Sequence, residues 1–165
     1  MKSSYQVEQL EALARVRMHL ALLPRGERET LCVLAADYLA FRRRVDDFQE
    51  RYFGSICDRA CYRSHLSACC SREGIVTFFA DVVINLIASE ESEVEGLAKA
   101  LQKEDDGFKC VYLGRAGCLW NVKPIVCEMF LCDSAKTRVF NQHPEAEAEW
   151  LDLERQRKSF TWPDR

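Results

Sequence analysis

YQVEQLEALARVRMHLALLPRGERETLCVLAADYLAFRRRVDDFQERY, residues 5–52, decides the fold class. Val7, Leu10, Leu13, Val16, Leu20 and Leu23 recur at spacings of three and four, which puts their side chains on one face of an α-helix. Residues 5–23 are therefore expected to be an amphipathic helix, ended by Pro24-Arg25-Gly26. A second helix is expected from Glu27 to Tyr52 through Leu31, Leu34, Tyr38, Phe41, Val45 and Phe48, with Gly54 stopping it. Cys32 lies in the apolar run Leu31–Ala36 and reads as a buried structural thiol. Arg42-Arg43-Arg44 reads as a solvated helix face, with Asp46, Asp47 and Glu50 near enough to pair with it.

Downstream of this hairpin the pattern stays helical. Ile75, Phe78, Phe79, Val82, Val83, Leu86 and Ile87 make residues 72–88 apolar over most of a helix circumference, so this segment is expected to be deeply buried at the centre of the fold. Ser89-Glu90-Glu91-Ser92 offers capping residues and first-turn acids for a short helix to Gln102. Phe108 to Leu113 alternates loosely, and with Gly114, Gly117 and Cys118-Leu119-Trp120 it suggests a short two-stranded element. Lys123-Pro124 looks like a helix start with proline in the first turn, continuing from Ile125 to Cys132. A last helix is expected from Pro144 to Lys158. The chain thus reads as one mainly α domain: a hairpin over residues 1–54 packed on the core, a cysteine-rich region over 55–133, and a C-terminal helix and tail over 134–165.

The size, 165 residues, suits one domain, and about a quarter of the residues are Leu, Ile, Val or Phe, enough to bury a core. A net charge of −3 offers no general attraction to nucleic acid or anionic lipid. The longest apolar run, Ile75 to Ile87, is broken by Thr77, Asp81 and Asn85 and is too short to span a bilayer. The N-terminal residues mix acidic and basic side chains among apolar ones, so no signal peptide is expected and the expected compartment is the cytoplasm. In a reducing compartment, nine cysteines point to metal ligation or redox chemistry rather than to structural disulfides.

Apart from Cys32, the cysteines fall into two groups. Cys57, Cys61, Cys69 and Cys70 are separated by three, seven and no residues; Cys110, Cys118, Cys127 and Cys132 by seven, eight and four. Four thiolates make one tetrahedral zinc site or hold one iron–sulfur cubane, so eight suffice for two centres or for one with spare thiols. No pair has the two-residue gap of zinc knuckles or thioredoxin-like motifs. Cys57, Cys61, His65 and Cys69 recur every four residues, so on a helix they would share a stripe in which His65 could be a nitrogen ligand. Cys69 and Cys70 precede the expected helix at Arg72, whose positive end and guanidinium would stabilise their thiolates. Cys110 and Cys118 flank the glycine-containing turn, and the proline at 124 fixes the helix that presents Cys127.

Cys57, Cys61 and Cys69-Cys70, then Cys110-Val111-Tyr112-Leu113, Gly117-Cys118-Leu119-Trp120 and Lys123-Pro124-Ile125-Val126-Cys127-Glu128, together resemble the YkgJ family of cysteine-cluster proteins over about residues 55–133. The resemblance implies a zinc- or iron-chelating domain, and a similar cluster occurs in the flagellin lysine methylase. Lys123 stands where that family usually has arginine, and Glu128 where a second arginine is common.

The metal-ligand candidates are Cys57, Cys61, Cys70, Cys110, Cys118 and Cys127, followed by Cys69 and Cys132. The cofactor is expected to be zinc or an iron–sulfur cluster, the irregular gaps favouring iron–sulfur. A non-catalytic metal-binding module is the first reading, with the N-terminal hairpin as a docking element for a protein partner and no nucleic-acid or membrane partner. An enzyme or accessory enzyme using the centre for redox chemistry or substrate activation is the alternative. It lacks a glycine-rich cofactor loop or a convincing acidic pair. A thiol redox switch, with reversible disulfides between Cys57, Cys61, Cys69 or Cys70 and no metal bound, is the third reading.

Overall fold

The computed structural model describes residues 3–57, 70–71, 74–104, 107–115 and 117–161. These form seven helices and one two-stranded antiparallel sheet: α1 (Ser4–Leu22), α2 (Arg25–Cys57), α3 (Phe79–Ala88), α4 (Glu91–Gln102), β1 (Leu113–Gly114), β2 (Gly117–Cys118), α5 (Ile125–Glu128), α6 (Asp133–Gln142) and α7 (Pro144–Thr161). The fold is mainly α, as the apolar spacings of three and four imply. None of the described helices is long and apolar enough to cross a membrane. The chain groups into two compact units, Met1–Leu34 with Ala68–Glu128, and Ala35–Ser67 with Met129–Arg165.

In the first unit α1 packs on α3 and α4. Leu13, Val16 and Leu20 of α1 meet Val82 and Leu86 of α3 and Val94, Leu97 and Leu101 of α4, with Tyr112 and Trp120 closing the cluster. The start of α1 is fixed by polar bonds as well. Ser3 caps it through the Gln6 N–H, and the Gln6 side chain, 1% exposed, returns a bond to the Ser3 backbone. The Gln6 amide then donates to the carbonyls of Leu101 and Lys103 at 3.2 and 2.8 Å, satisfying acceptors that the end of α4 leaves open.

α3 starts seven residues later than its apolar pattern suggests. The Asp81 carboxylate accepts the Phe78 N–H at 2.9 Å, which sets the first turn at Phe79, and residues 74–78 are not helical. The run Ile75-Val76-Thr77-Phe78 is β-branched and aromatic, a composition that fits extended chain better than helix. Nor is the segment buried all round: Phe78 and Phe79 are exposed, and the buried face of α3 is Asp81, Val82, Asn85 and Leu86.

α2 runs through Gly54 to Cys57 instead of stopping at the glycine. One interior glycine costs a helix about 1 kcal/mol relative to alanine, and burial of Phe48 and Phe53 in the turns before it offsets it. A Cβ at residue 54 would lie 3.1 Å from a Glu50 carboxylate oxygen, so the glycine makes room for that side chain. Cys32, expected in the core, is exposed, as are Val33 and Leu34. The inward face near it carries Leu31 and Ala35, one turn apart, and position 32 is rotated about 100° from it.

In the second unit the later turns of α2 pack with α6 and α7 through aromatic rings. Phe48 stacks on Trp150 with centroids 5.4 Å apart, Phe53 meets Phe140 edge-on at 6.0 Å, and Phe41 and Tyr38 enclose Phe160. The arginine run divides accordingly. Arg43 and Arg44 are exposed, but Arg42 is buried, donates to the Tyr38 hydroxyl at 2.9 Å and lies over its ring. α5 is one turn long, not two: past Glu128, Met129 and Leu131 are buried while Phe130 between them is exposed, the period of extended chain. Cys132 consequently leaves the helix of Cys127 and becomes the N-cap of α6.

Candidate metal centre

Four cysteines of the first unit lie on four separate pieces of chain. Cys70 lies in a turn whose carbonyl accepts the Cys110 N–H at 2.8 Å, next to the antiparallel bridge between Ser71 and Lys109. Cys118 sits in β2 opposite Leu113, across a hairpin whose Gly117 has φ +120°, a conformation strained for any side chain. Cys127 lies in α5, its sulfur 3.9 Å from the Val76 carbonyl. Cys70, Cys110 and Cys127 are half-buried and Cys118 is exposed.

Each of these thiols lies in the field of the others. Burial pushes Cys110 up from an ordinary 9.0 to about 12, and Cys118, Cys70 and Cys127 add to the rise. Burial likewise raises Cys118 to about 11, with Cys70 and Cys127 adding and Lys123 opposing. Cys127 is raised by burial, then by Cys70, Asp81 and Glu128. The backbone works in the opposite sense: hydrogen bonds from Tyr112 to Cys110 and from Trp120 to Cys118 stabilise the thiolates. Both come from two residues after the cysteine, so Cys110-Val111-Tyr112 and Cys118-Leu119-Trp120 repeat one local geometry.

Asp81 and Asn85, which in the sequence only interrupt an apolar run, hold the segment that carries Cys127. Besides capping α3, Asp81 accepts the Ile125 N–H at 3.1 Å, and Asn85 accepts the Val122 N–H at 2.9 Å. Pro124 has no N–H, so Ile125 supplies the first donor of α5, and Asp81 takes it. Both side chains are buried, at 5% and 0% exposure. Their signal in the sequence was the spacing: two polar residues four apart share one helix face, and that face points inward.

The remaining candidates fall in the second unit or outside the described residues. Cys57 ends α2 and Cys132 caps α6, both half-buried and both in the second unit. Cys61, His65 and Cys69 lie outside the described residues. The expected placement of Cys70 before a helix does not hold, because the next helix begins at Phe79.

Four thiols supply the donors that zinc or an iron–sulfur cluster takes, and backbone donors on two of the sulfurs suit thiolates better than thiols. Among the described residues, no three His, Cys, Asp or Glu side chains are gathered closely enough to hold a metal ion. The donor set fits such a group in chemistry and number, while its side chains stand apart. No family model matches this sequence, and neither a curated protein nor a solved structure matches it.

Proposed function

We propose that this is a metal-binding protein of the YkgJ-like kind that holds zinc or an iron–sulfur centre through Cys70, Cys110, Cys118 and Cys127. The observation that carries the reading is that four thiols of one compact unit, from segments up to 57 positions apart, lie within electrostatic reach of one another. Burial and mutual repulsion make four thiolates unfavourable together, and a bound cation removes that repulsion. When bound, the ion would supply a positive centre that keeps the sulfurs ionised and crosslinks the turn at Cys70, the hairpin and α5. The chain's own part is to aim the Tyr112 and Trp120 amides at Cys110 and Cys118, and to hold Cys127 through Asp81 and Asn85.

A structural or sensory module in a reducing, cytoplasmic setting fits this arrangement, since the ion would join four separate segments of one unit.

The test is elemental analysis and an absorption spectrum on anaerobically purified protein, followed by cobalt(II) titration of the metal-free, reduced chain. Stoichiometric zinc or iron, with thiolate-to-metal charge-transfer bands in the cobalt form, is expected. Visible absorption as isolated identifies the iron–sulfur form, since zinc is colourless. Absence of both metals, with no cobalt bands, overturns the reading.

A further inference from the structure

Charge is spread unevenly along the helices. Residues 12–26 hold Arg15, Arg17 and Arg25 and no acidic residue, whereas residues 144–154 hold Glu145, Glu147, Glu149, Asp152 and Glu154 and no basic one. Each stretch also carries apolar surface. Met18 and Leu22, one turn apart on α1, are 61% and 77% exposed, and they lie on the face opposite Leu13, Val16 and Leu20, which pack in the core. Arg15 borders them on that outer face, its pair with Glu11 loose at 3.8 Å and both side chains mostly exposed. Arg17, to the side, pairs with Glu91.

The acidic stretch forms one wall of a groove of about 520 Å³ between α6 and α7, wholly within the second unit. Phe140, Trp150 and the 52% exposed Leu151 supply its apolar lining, and Asp133, Glu147 and Glu154 its carboxylates, against one basic side chain, Lys136. Glu147, Trp150, Leu151 and Glu154 stand at i, i+3, i+4 and i+7, one face of α7. Among the described residues none of the three carboxylates is held in an ion pair. The helix N-termini offset Asp133 and Glu147 within their first turns, but Glu154 lies beyond that reach.

We propose that the α6–α7 groove is an interaction surface for a second copy of this chain, which enters it with the Arg15–Met18–Leu22 face of α1. A helix laid in an apolar groove anchors through side chains one turn apart, and the charges around them set partner and orientation. Here the entering face is basic and the receiving rim acidic. Because the two surfaces differ, the contact is heterologous: each copy offers its groove to one neighbour and its α1 to another, which builds rings or open chains rather than a twofold dimer. One helix in one groove is smaller than a standard interface, so the association is expected to be weak and to weaken further with salt.

The experiment is sedimentation velocity of the full chain over a concentration series, under reducing conditions that exclude disulfides through the exposed Cys32. The wild-type sedimentation coefficient should rise with concentration, and less so at high salt. Two variants test the surfaces: Met18→Gln with Leu22→Gln on α1, and Leu151→Arg in the groove. Each should weaken association at least about tenfold, with circular dichroism unchanged because all three positions are exposed. Each variant keeps the surface the other has lost, so their mixture should form a 1:1 dimer and nothing larger. A wild-type chain that stays monomeric would overturn the proposal; if it then binds a synthetic lysine–leucine amphipathic helix, the groove belongs to a different partner. Association unchanged in either variant, or a mixture that forms no dimer, would overturn it as well.

Discussion

Replacing Asp81 tests how the candidate centre is held. Its carboxylate accepts two backbone N–H groups, Phe78 at 2.9 Å and Ile125 at 3.1 Å, while the side chain is almost wholly buried. A hydrogen bond to a charged group contributes about 1.5–3 kcal/mol, and a buried donor left without a partner costs about 1–3 kcal/mol. Asp81→Ala removes both acceptors and strands the buried Ile125 N–H, so a loss of about 3–5 kcal/mol is expected. That is a large share of the roughly 5–15 kcal/mol by which domains are stable. Asp81→Asn keeps one carbonyl oxygen but turns an NH2 group toward the other donor, and should lose about half as much. The assay is urea unfolding of reduced, metal-free protein, followed by Trp fluorescence, with the slope against denaturant checked for constancy. Because Asp81 also positions α5, cobalt binding should weaken in both variants. Asp81→Ala with a midpoint within experimental error of wild type would refute the clamp, as would Asp81→Asn behaving like Asp81→Ala.

Serine at Cys70, Cys110, Cys118 or Cys127 should each weaken zinc binding at least about tenfold, read by chelator competition, whereas Cys32→Ser, at an exposed position, should leave it unchanged. With Cys110 raised from 9.0 to about 12, the unfolded chain ionises this thiol first as pH rises. Metal-free stability is therefore fully present below about pH 9 and falls between pH 9 and 12, which pH-dependent urea melts will show, and alkylation of Cys110 should keep accelerating above pH 9. Gly117→Ala should cost about 1–2 kcal/mol through its φ of +120° alone, because a Cβ there meets no atom within 4 Å. A thermal shift smaller than about 2 °C would contradict it.

How far the sequence could be read depended on whether the deciding physics was local. The stripe Leu13, Val16, Leu20 and the cap at Ser3 are set within a turn or two of chain, and α1 came out nearly to the residue. Apolar periodicity failed where capping or burial decided instead. α3 was read as starting at 72 because apolar residues continued that far, but Asp81 caps it at Phe79. Cys132 was placed on the helix of Cys127 because nothing local breaks the run, yet the alternating burial of Met129, Phe130 and Leu131 sends the chain on extended. Cys32 sat in an apolar run, and only the choice of which helix face turns inward exposed it.

By itself the sequence determined the helical class, the short hairpin and the set of cysteines from which the proposed centre would draw, since these follow from periodicity, turn chemistry and residue type. Which cysteines share one place was decided by tertiary structure alone. Cys70, Cys110, Cys118 and Cys127 fall in one compact unit because the turn, the hairpin and the clamped helix that carry them do, while Cys57 and Cys132 belong to the other. Spacing along a chain measures only how far apart residues can be, and the packing of the elements between them sets how near they come.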